Sequence, residues 1–250
     1  MIYLANTAHC QFLGLMVGFL AWILIMTTNG MNEWRLWYVT DKSVISSGVA
    51  WVGIWRVCFY SHTLPKFENC QWISISDTFV PAEISVAQVL MLLAVICGLA
   101  GNISAALAMR IVYFSVEDRR NIRLAFVLAG TLYVFTAVLC LVPLGWNMSS
   151  VLNNSTIDFP PEFYLPEAPA SQQVGTAIGV GMLASIMMLI CGLVFLCYQY
   201  VWQTLSSEAP RDTRDLLNGT WTETTLSQKS ELPNGNQGID NPGFQTEEVS

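Results

Sequence analysis

Apolar residues fall into four long runs with almost no charge, set apart by two more polar stretches and followed by a polar tail. The runs extend from Cys10 to Thr28, Ile84 to Met109, Arg123 to Leu144 and Val174 to Tyr200. Each approaches or exceeds the roughly 20 residues that a helix needs to cross a bilayer. Arg123 opens the third run, where its long stem can carry the charge to the interface. A shorter period governs the stretch between the first two runs. Val49 to Phe59 is rich in Val, Ile, Trp and Phe, which predicts a strand with Trp51, Gly53 and Trp55 on one face. Gly53 within such a strand predicts a bulge or the close approach of another backbone. Trp34 to Val39 and Cys70 to Ile75 predict further strands of the same sheet. A sheet this small cannot bury enough apolar area alone, so it is expected to rest on the helices and on a cross-link.

Composition supports a membrane chain. Hydrophobic residues make up 53% and charged residues 12%, against about 25% charged in soluble domains. Arg110, Arg119, Arg120 and Arg123 cluster after the second run, whereas residues 145–173 hold no Lys or Arg. The positive-inside rule then places both termini in the cytoplasm and residues 29–83 and 145–173 outside. No Lys or Arg precedes Arg35, so the first run is expected to stay as a span rather than leave as a signal peptide. The net charge of −7 misleads as a whole: after Gln203 there are eight acidic and three basic residues, which accounts for −5. Pro210, Pro233 and Pro242 punctuate that region, and residues 201–250 are expected to form a disordered cytoplasmic tail. No basic patch suggests a nucleic-acid partner. Residues 29–83 hold five acidic and four basic side chains, and 145–173 hold three acidic ones. That mild negative field favours cations.

The cysteines sort by compartment. Cys58 and Cys70 lie in the first outer loop, where disulfides persist, and bridging them would contribute about 3 kcal/mol in chain-entropy terms. Cys97, Cys140 and Cys191 lie inside runs as packing residues, and Cys197, near the cytoplasmic face, is a candidate for S-palmitoylation. Asn147, Asn153 and Asn154 each fit N-x-S/T and are candidate glycosylation sites, Asn147 being close to the bilayer. Gly14/Gly18 and Gly175/Gly179 have the spacing that lets helices approach closely within the bundle. Asn102, inside the second run, is expected to bond a neighbouring helix. In the tail, Asp212 with Leu216-Leu217, and Asn241-Pro242-Gly243-Phe244, have the form of sorting signals. His9 and His62 have no Cys or carboxylate at ligand spacing, and neither a phosphate loop nor a nucleophile with a base is present in sequence. No enzyme activity, metal or cofactor is therefore expected.

Trp34, then Gly53-Ile54-Trp55, then Cys58 and Cys70, in the first loop of a four-span chain, resemble the claudin pattern, with Ile in place of the usual Leu. The pattern is shared with the peripheral myelin and epithelial membrane proteins and the calcium-channel gamma subunits. In the second loop Pro143-Leu144-Gly145-Trp146 is similar to the claudin P-x-x-W. Glu162-Phe163-Tyr164-Leu165-Pro166 resembles the turn that claudins present to the opposing cell, with Asp158-Phe159-Pro160-Pro161 as a competing alignment. Val86-Ala87-Gln88 and the Phe159–Pro166 run look most like a divergent, claudin-34-type branch.

The resemblance implies an all-α membrane bundle with a small β cap: a left-handed four-transmembrane-helix bundle bearing an extracellular antiparallel sheet. It covers about residues 8–200, and it implies trans contacts at Phe163, Tyr164 and Pro166. It also implies junctional adhesion and a paracellular barrier or pore, with partners being lipid and itself or other claudins in cis and trans. An auxiliary subunit or trafficking partner of another membrane protein is the alternative. Three departures stand out. Gln88 occupies a position where many claudins carry an Arg that locks the loops to the bundle. Neutral Gln71 follows the second cysteine, and the ending Val249-Ser250 predicts no standard PDZ contact.

Overall fold

Each apolar run becomes a helix longer than the run itself: α1 (Ile2–Gly30), α2 (Ala82–Phe114), α3 (Arg119–Leu152) and α4 (Thr176–Glu208). This computed structural model describes residues 2–40, 45–61, 67–114, 119–165 and 169–208. The tail motifs, His62 and Pro166 lie outside the described residues. Each helix packs on its neighbours in sequence and α1 closes on α4, giving a four-membered ring. All four are long and apolar enough to cross a membrane. Their outward faces carry Phe19, Leu93, Ile96, Leu128, Phe135 and Ile190. Such a belt suits lipid, where helices associate through close packing and internal polar bonds.

Those internal bonds are present. Asn102 on α2 accepts the Tyr133 hydroxyl of α3 at 2.9 Å and donates to the Gly98 carbonyl at 2.9 Å. The Trp22 indole of α1 donates to the Val95 carbonyl of α2 at 2.9 Å. Gly14 and Gly18 lie against Phe195 and Tyr133, so this pair serves the bundle itself.

Five antiparallel strands cap one end of the ring: β1 (Arg35–Tyr38), β2 (Ile45–Val52), β3 (Arg56–Ser61), β4 (Glu68–Trp72) and β5 (Ser171–Val174). Their spatial order is β4-β3-β2-β1-β5. The strand expected over Val49 to Phe59 is in fact two strands, and Gly53-Ile54-Trp55 is the turn between them. Trp51 and Trp55 therefore do not share a strand face. The close approach expected at Gly53 is real: a Cβ there would lie 2.9 Å from Asn32 Cα and 3.1 Å from the Met31 carbonyl oxygen. The register irregularity falls instead between Ile45 and Ala50, where Gly48 has a φ of 66°.

Three other boundaries shift. Strand β5 comes from the second loop and pairs with β1. Its residues Ser171, Gln172 and Gln173 carry no apolar alternation, so only the pairing reveals it. Helix α3 continues to Leu152 rather than stopping at Leu144, with Pro143 inside it. Helix α4 continues to Glu208, so residues 201–208 are helix.

Candidate interaction surface and its anchor

The pleat of β1 turns Arg35 and Trp37 towards the buried side and Leu36 and Tyr38 away from it. Arg35 is only 1% exposed, yet it is charged. Its Nη2 donates to Glu83 Oε1 at 3.2 Å and to Asn147 Oδ1 at 2.7 Å. Pro81 precedes α2, and its carbonyl accepts the Ile84 and Ser85 amides, which puts Glu83 in the first turn of the helix. The added turns of α3 bring Asn147 and Ser150 to the same place. The Ser150 hydroxyl donates to Glu83 Oε1 at 2.7 Å, and Asn147 Nδ2 donates to the Glu83 carbonyl at 2.9 Å. Burial pulls the Arg35 guanidinium below its ordinary pKa, and the Glu83 charge opposes that pull. Removing a guanidinium from water costs several kcal/mol, and this pairing with its hydrogen bonds offsets the cost. Glu83 lies one residue before the second apolar run, and only the folded chain pairs it with Arg35.

Gln88 makes the second tie. It is fully buried, and its Nε2 donates to the Ile54 carbonyl at 2.6 Å and the Ile73 carbonyl at 3.1 Å. Gln88 thus locks the Gly53-Ile54-Trp55 turn onto α2 without a positive charge.

The tryptophan motif makes the third tie, at the C-terminus of α1, where helical carbonyls lack intrahelical donors. The Trp34 indole donates to the Thr28 carbonyl at 3.0 Å, and the Trp55 indole donates to Asn29 Oδ1 at 3.1 Å. At the start of α4, Gly175 packs so tightly on the Glu33 backbone that any Cβ would collide with it. The Thr176 hydroxyl donates to the Glu33 carboxylate. Cys58 and Cys70 face each other across β3 and β4 and are bonded. Glu68 lies beside them, but two bonded sulfurs offer no thiolate to a metal.

The second loop folds back over β1. Trp37, Phe79, Phe159 and Phe163 form one aromatic cluster, with ring centroids 5.1 Å apart for Trp37–Phe159, 5.3 Å for Phe79–Phe163 and 5.5 Å for Phe159–Phe163. Both candidate alignments of this loop therefore place a phenylalanine in the cluster. Phe163, an expected trans contact, is only 8% exposed and anchors the one-turn 3-10 helix Pro161–Phe163. Tyr164 leaves that turn in the left-handed region at φ 54° and is 63% exposed.

A second exposed group lies at the far edge of the sheet. Phe67, Trp72 and Ile75 flank or end β4, and Trp72 is 72% exposed beneath the Arg56 guanidinium, 5.9 Å from the ring. Exposed aromatics rimmed by polar residues mark surfaces that meet a partner.

The remaining candidates separate clearly. Asn147 is fully buried, and its Nδ2 donates to the Glu83 and Pro143 carbonyls. Asn153 and Asn154 are exposed just past α3. Cys197 is exposed at the opposite end of the bundle, whereas Cys140 and Cys191 are buried.

The chain has relatives. A family model described as PMP-22/EMP/MP20/Claudin tight junction matches residues 19–197. Claudin-3 of Rattus norvegicus is 24% identical over 223 residues, covering 86% of this chain and 95% of the relative. Claudin-5 of Homo sapiens is 24% identical over 198 residues, covering 78% and 85%. Claudin-2 of Bos taurus is 26% identical over 190 residues, covering 75% and 77%.

Proposed function

Since the chain belongs to the PMP-22/EMP/MP20/claudin family, we propose that it is a cell–cell adhesion component of the tight-junction type. It forms a paracellular barrier or pore through cis and trans self-association of its outer surfaces, with itself or with claudins. At family level the relatives support a claudin-type junctional role in a multi-pass membrane protein. In this reading the sheet lies outside the plasma membrane and both termini lie in the cytoplasm, as the Arg110–Arg123 cluster favours. The inner end of α4 then offers Cys197 for acylation.

The observation that carries the reading is a rigid sheet with an exposed rim. Arg35, Gln88 and the two indoles pin the sheet to three helices, while Tyr164 and the Phe67–Trp72–Ile75 edge stay uncovered. A rigid mount matters because seating a mobile domain in a row of copies costs ordering entropy at each contact. The second reading is an auxiliary subunit or trafficking partner. The neutral Gln71 beside the second cysteine favours it, since loop charge is what would tune ion passage.

Expression in cells that lack junction strands separates the two. The junctional reading expects strands in freeze-fracture replicas and altered transepithelial resistance. Surface protein that stays diffuse with unchanged resistance would favour the auxiliary role.

A further inference from the structure

We propose that Asn154 is the N-glycan attachment site of the second loop, and that its glycan limits how closely facing copies approach. The steric role rests on the adhesion reading; the attachment does not.

The second loop carries three N-x-S/T sequons: Asn147-Met148-Ser149, Asn153-Asn154-Ser155 and Asn154-Ser155-Thr156. An N-glycan is carried on the side-chain Nδ2, so the partners of that atom discriminate among them. At Asn147 it donates to two backbone carbonyls, at 2.9 Å and 3.0 Å, inside the anchor. A sugar there would break the link between α2 and α3. Asn153 continues the last turn of α3 through its amide bond to the Ser149 carbonyl, and its Nδ2 turns back to Ser149 Oγ at 3.4 Å. Asn154 differs from both. It adopts the left-handed region at φ 54°, ends the helical path and is exposed. Ser155 and Thr156 follow with neither helix nor strand, so the Asn154 sequon runs off the helix end.

Position gives the glycan its consequence. Asn147 lies level with Arg35 where the sheet joins the bundle, and Asn154 follows seven residues later, past the end of α3. At 1.5 Å per residue, the five residues from Asn147 to Leu152 carry the chain roughly 8 Å further from the helices' apolar belt before Asn154. The Ser155 carbonyl accepts Gln172 Nε2 at 2.8 Å, which ties the glycosylated turn to β5, an edge of the sheet. The sugar is therefore mounted on the same rigid cap as Tyr164. A bulky hydrated polymer there holds a facing surface away.

The two overlapping sequons can be cut independently in the full-length chain expressed in mammalian cells. Thr156→Ala destroys only the Asn154 sequon, Ser155→Ala destroys only that of Asn153, and Ser149→Ala destroys only that of Asn147. The proposal expects a band that shifts on peptide-N-glycosidase treatment in the parent, in Ser155→Ala and in Ser149→Ala, and no shift in Thr156→Ala. A shift that survives Thr156→Ala, or a parent chain that never shifts, overturns the attachment. An epitope tag within residues 145–173, probed on intact cells, shows separately whether the loop faces outward. For the steric role, cells bearing Thr156→Ala should aggregate more than cells bearing the parent, with Ser155→Ala equal to the parent. Equal aggregation of parent and Thr156→Ala overturns the steric role and leaves the attachment standing. If the parent aggregates no better than empty cells, the adhesion reading and the steric role fall together, and the band shift still decides the site.

Discussion

Strands β1 and β4 belong to one sheet, with two strands between them, and their side chains do opposite work. The inward residues of β1, Arg35 and Trp37, are fully buried between the sheet, the helix ends and the second loop. At β4 the burial falls away until Trp72 is almost bare. Strand β1 lies between β2 and β5, whereas β4 has a partner on one side only. The sheet is thus graded, with an end that fixes it to the membrane helices and an end that offers aromatic surface. Stability is expected to reside in the first and association in the second.

The strongest test removes the anchor. Arg35→Ala empties a fully buried site and leaves half-buried Glu83 without its cation, and is expected to cost about 3–5 kcal/mol. Thermal unfolding in detergent, followed by tryptophan fluorescence, measures the loss. Because only Nη2 of the fork finds protein acceptors among the described residues, Arg35→Lys should lose markedly less. Adding Glu83→Gln to Arg35→Ala should cost less than the two changes summed, as residues in one network couple. Strict additivity would show that the pair does not hold the sheet.

Next in size is the second-loop pair. Phe163→Ala opens a hole in the aromatic cluster, at about 3–5 kcal/mol. Tyr164→Ala, one residue on, should stay within about 0.5 kcal/mol while lowering aggregation of expressing cells. The reverse ranking would put the outward residue of this turn in the wrong place.

Gln88→Leu strips a donor from two buried carbonyls and should cost about 1–3 kcal/mol in the same unfolding assay. An unchanged midpoint would mean that the turn at Ile54 is held by the disulfide and packing alone.

The smallest stability effect belongs to the exposed edge. Trp72→Ala loses little beyond its contact with Arg56, about 0.5–1 kcal/mol. Its expected signature is weaker energy transfer between tagged copies in one membrane. Full transfer with lowered stability would move β4 from the associating end to the anchoring end.

Much of this was legible in the residues. Four nearly charge-free runs announced four helices, since a bilayer-length apolar stretch has few alternatives. Trp34, the Gly53-Ile54-Trp55 triplet and the two cysteines announced a cross-linked sheet, and Cys58 and Cys70 are bonded. Misreadings arose where local pattern is silent. The Val49–Phe59 stretch looks like one strand because Gly53 gives no sign of turning the chain until Met31 and Asn32 press against it. Phe163 and Tyr164 are neighbours of similar character, and only the cluster around Phe159 sends one inward and the other outward.

What the sequence determined by itself was therefore the helices, the strand-forming stretches of the first loop and the bridging pair, because hydrophobic length, strand period and cysteine placement act locally or through one compartment rule. What the tertiary structure decided was where charge could be buried. Arg35, Glu83, Asn147 and Gln88 are separated by up to 112 positions along the chain, and each looks like an ordinary loop or interface residue alone. Their partners exist only once α2, α3 and β1 converge, since a buried polar group is tolerated solely where the assembled fold supplies its complement.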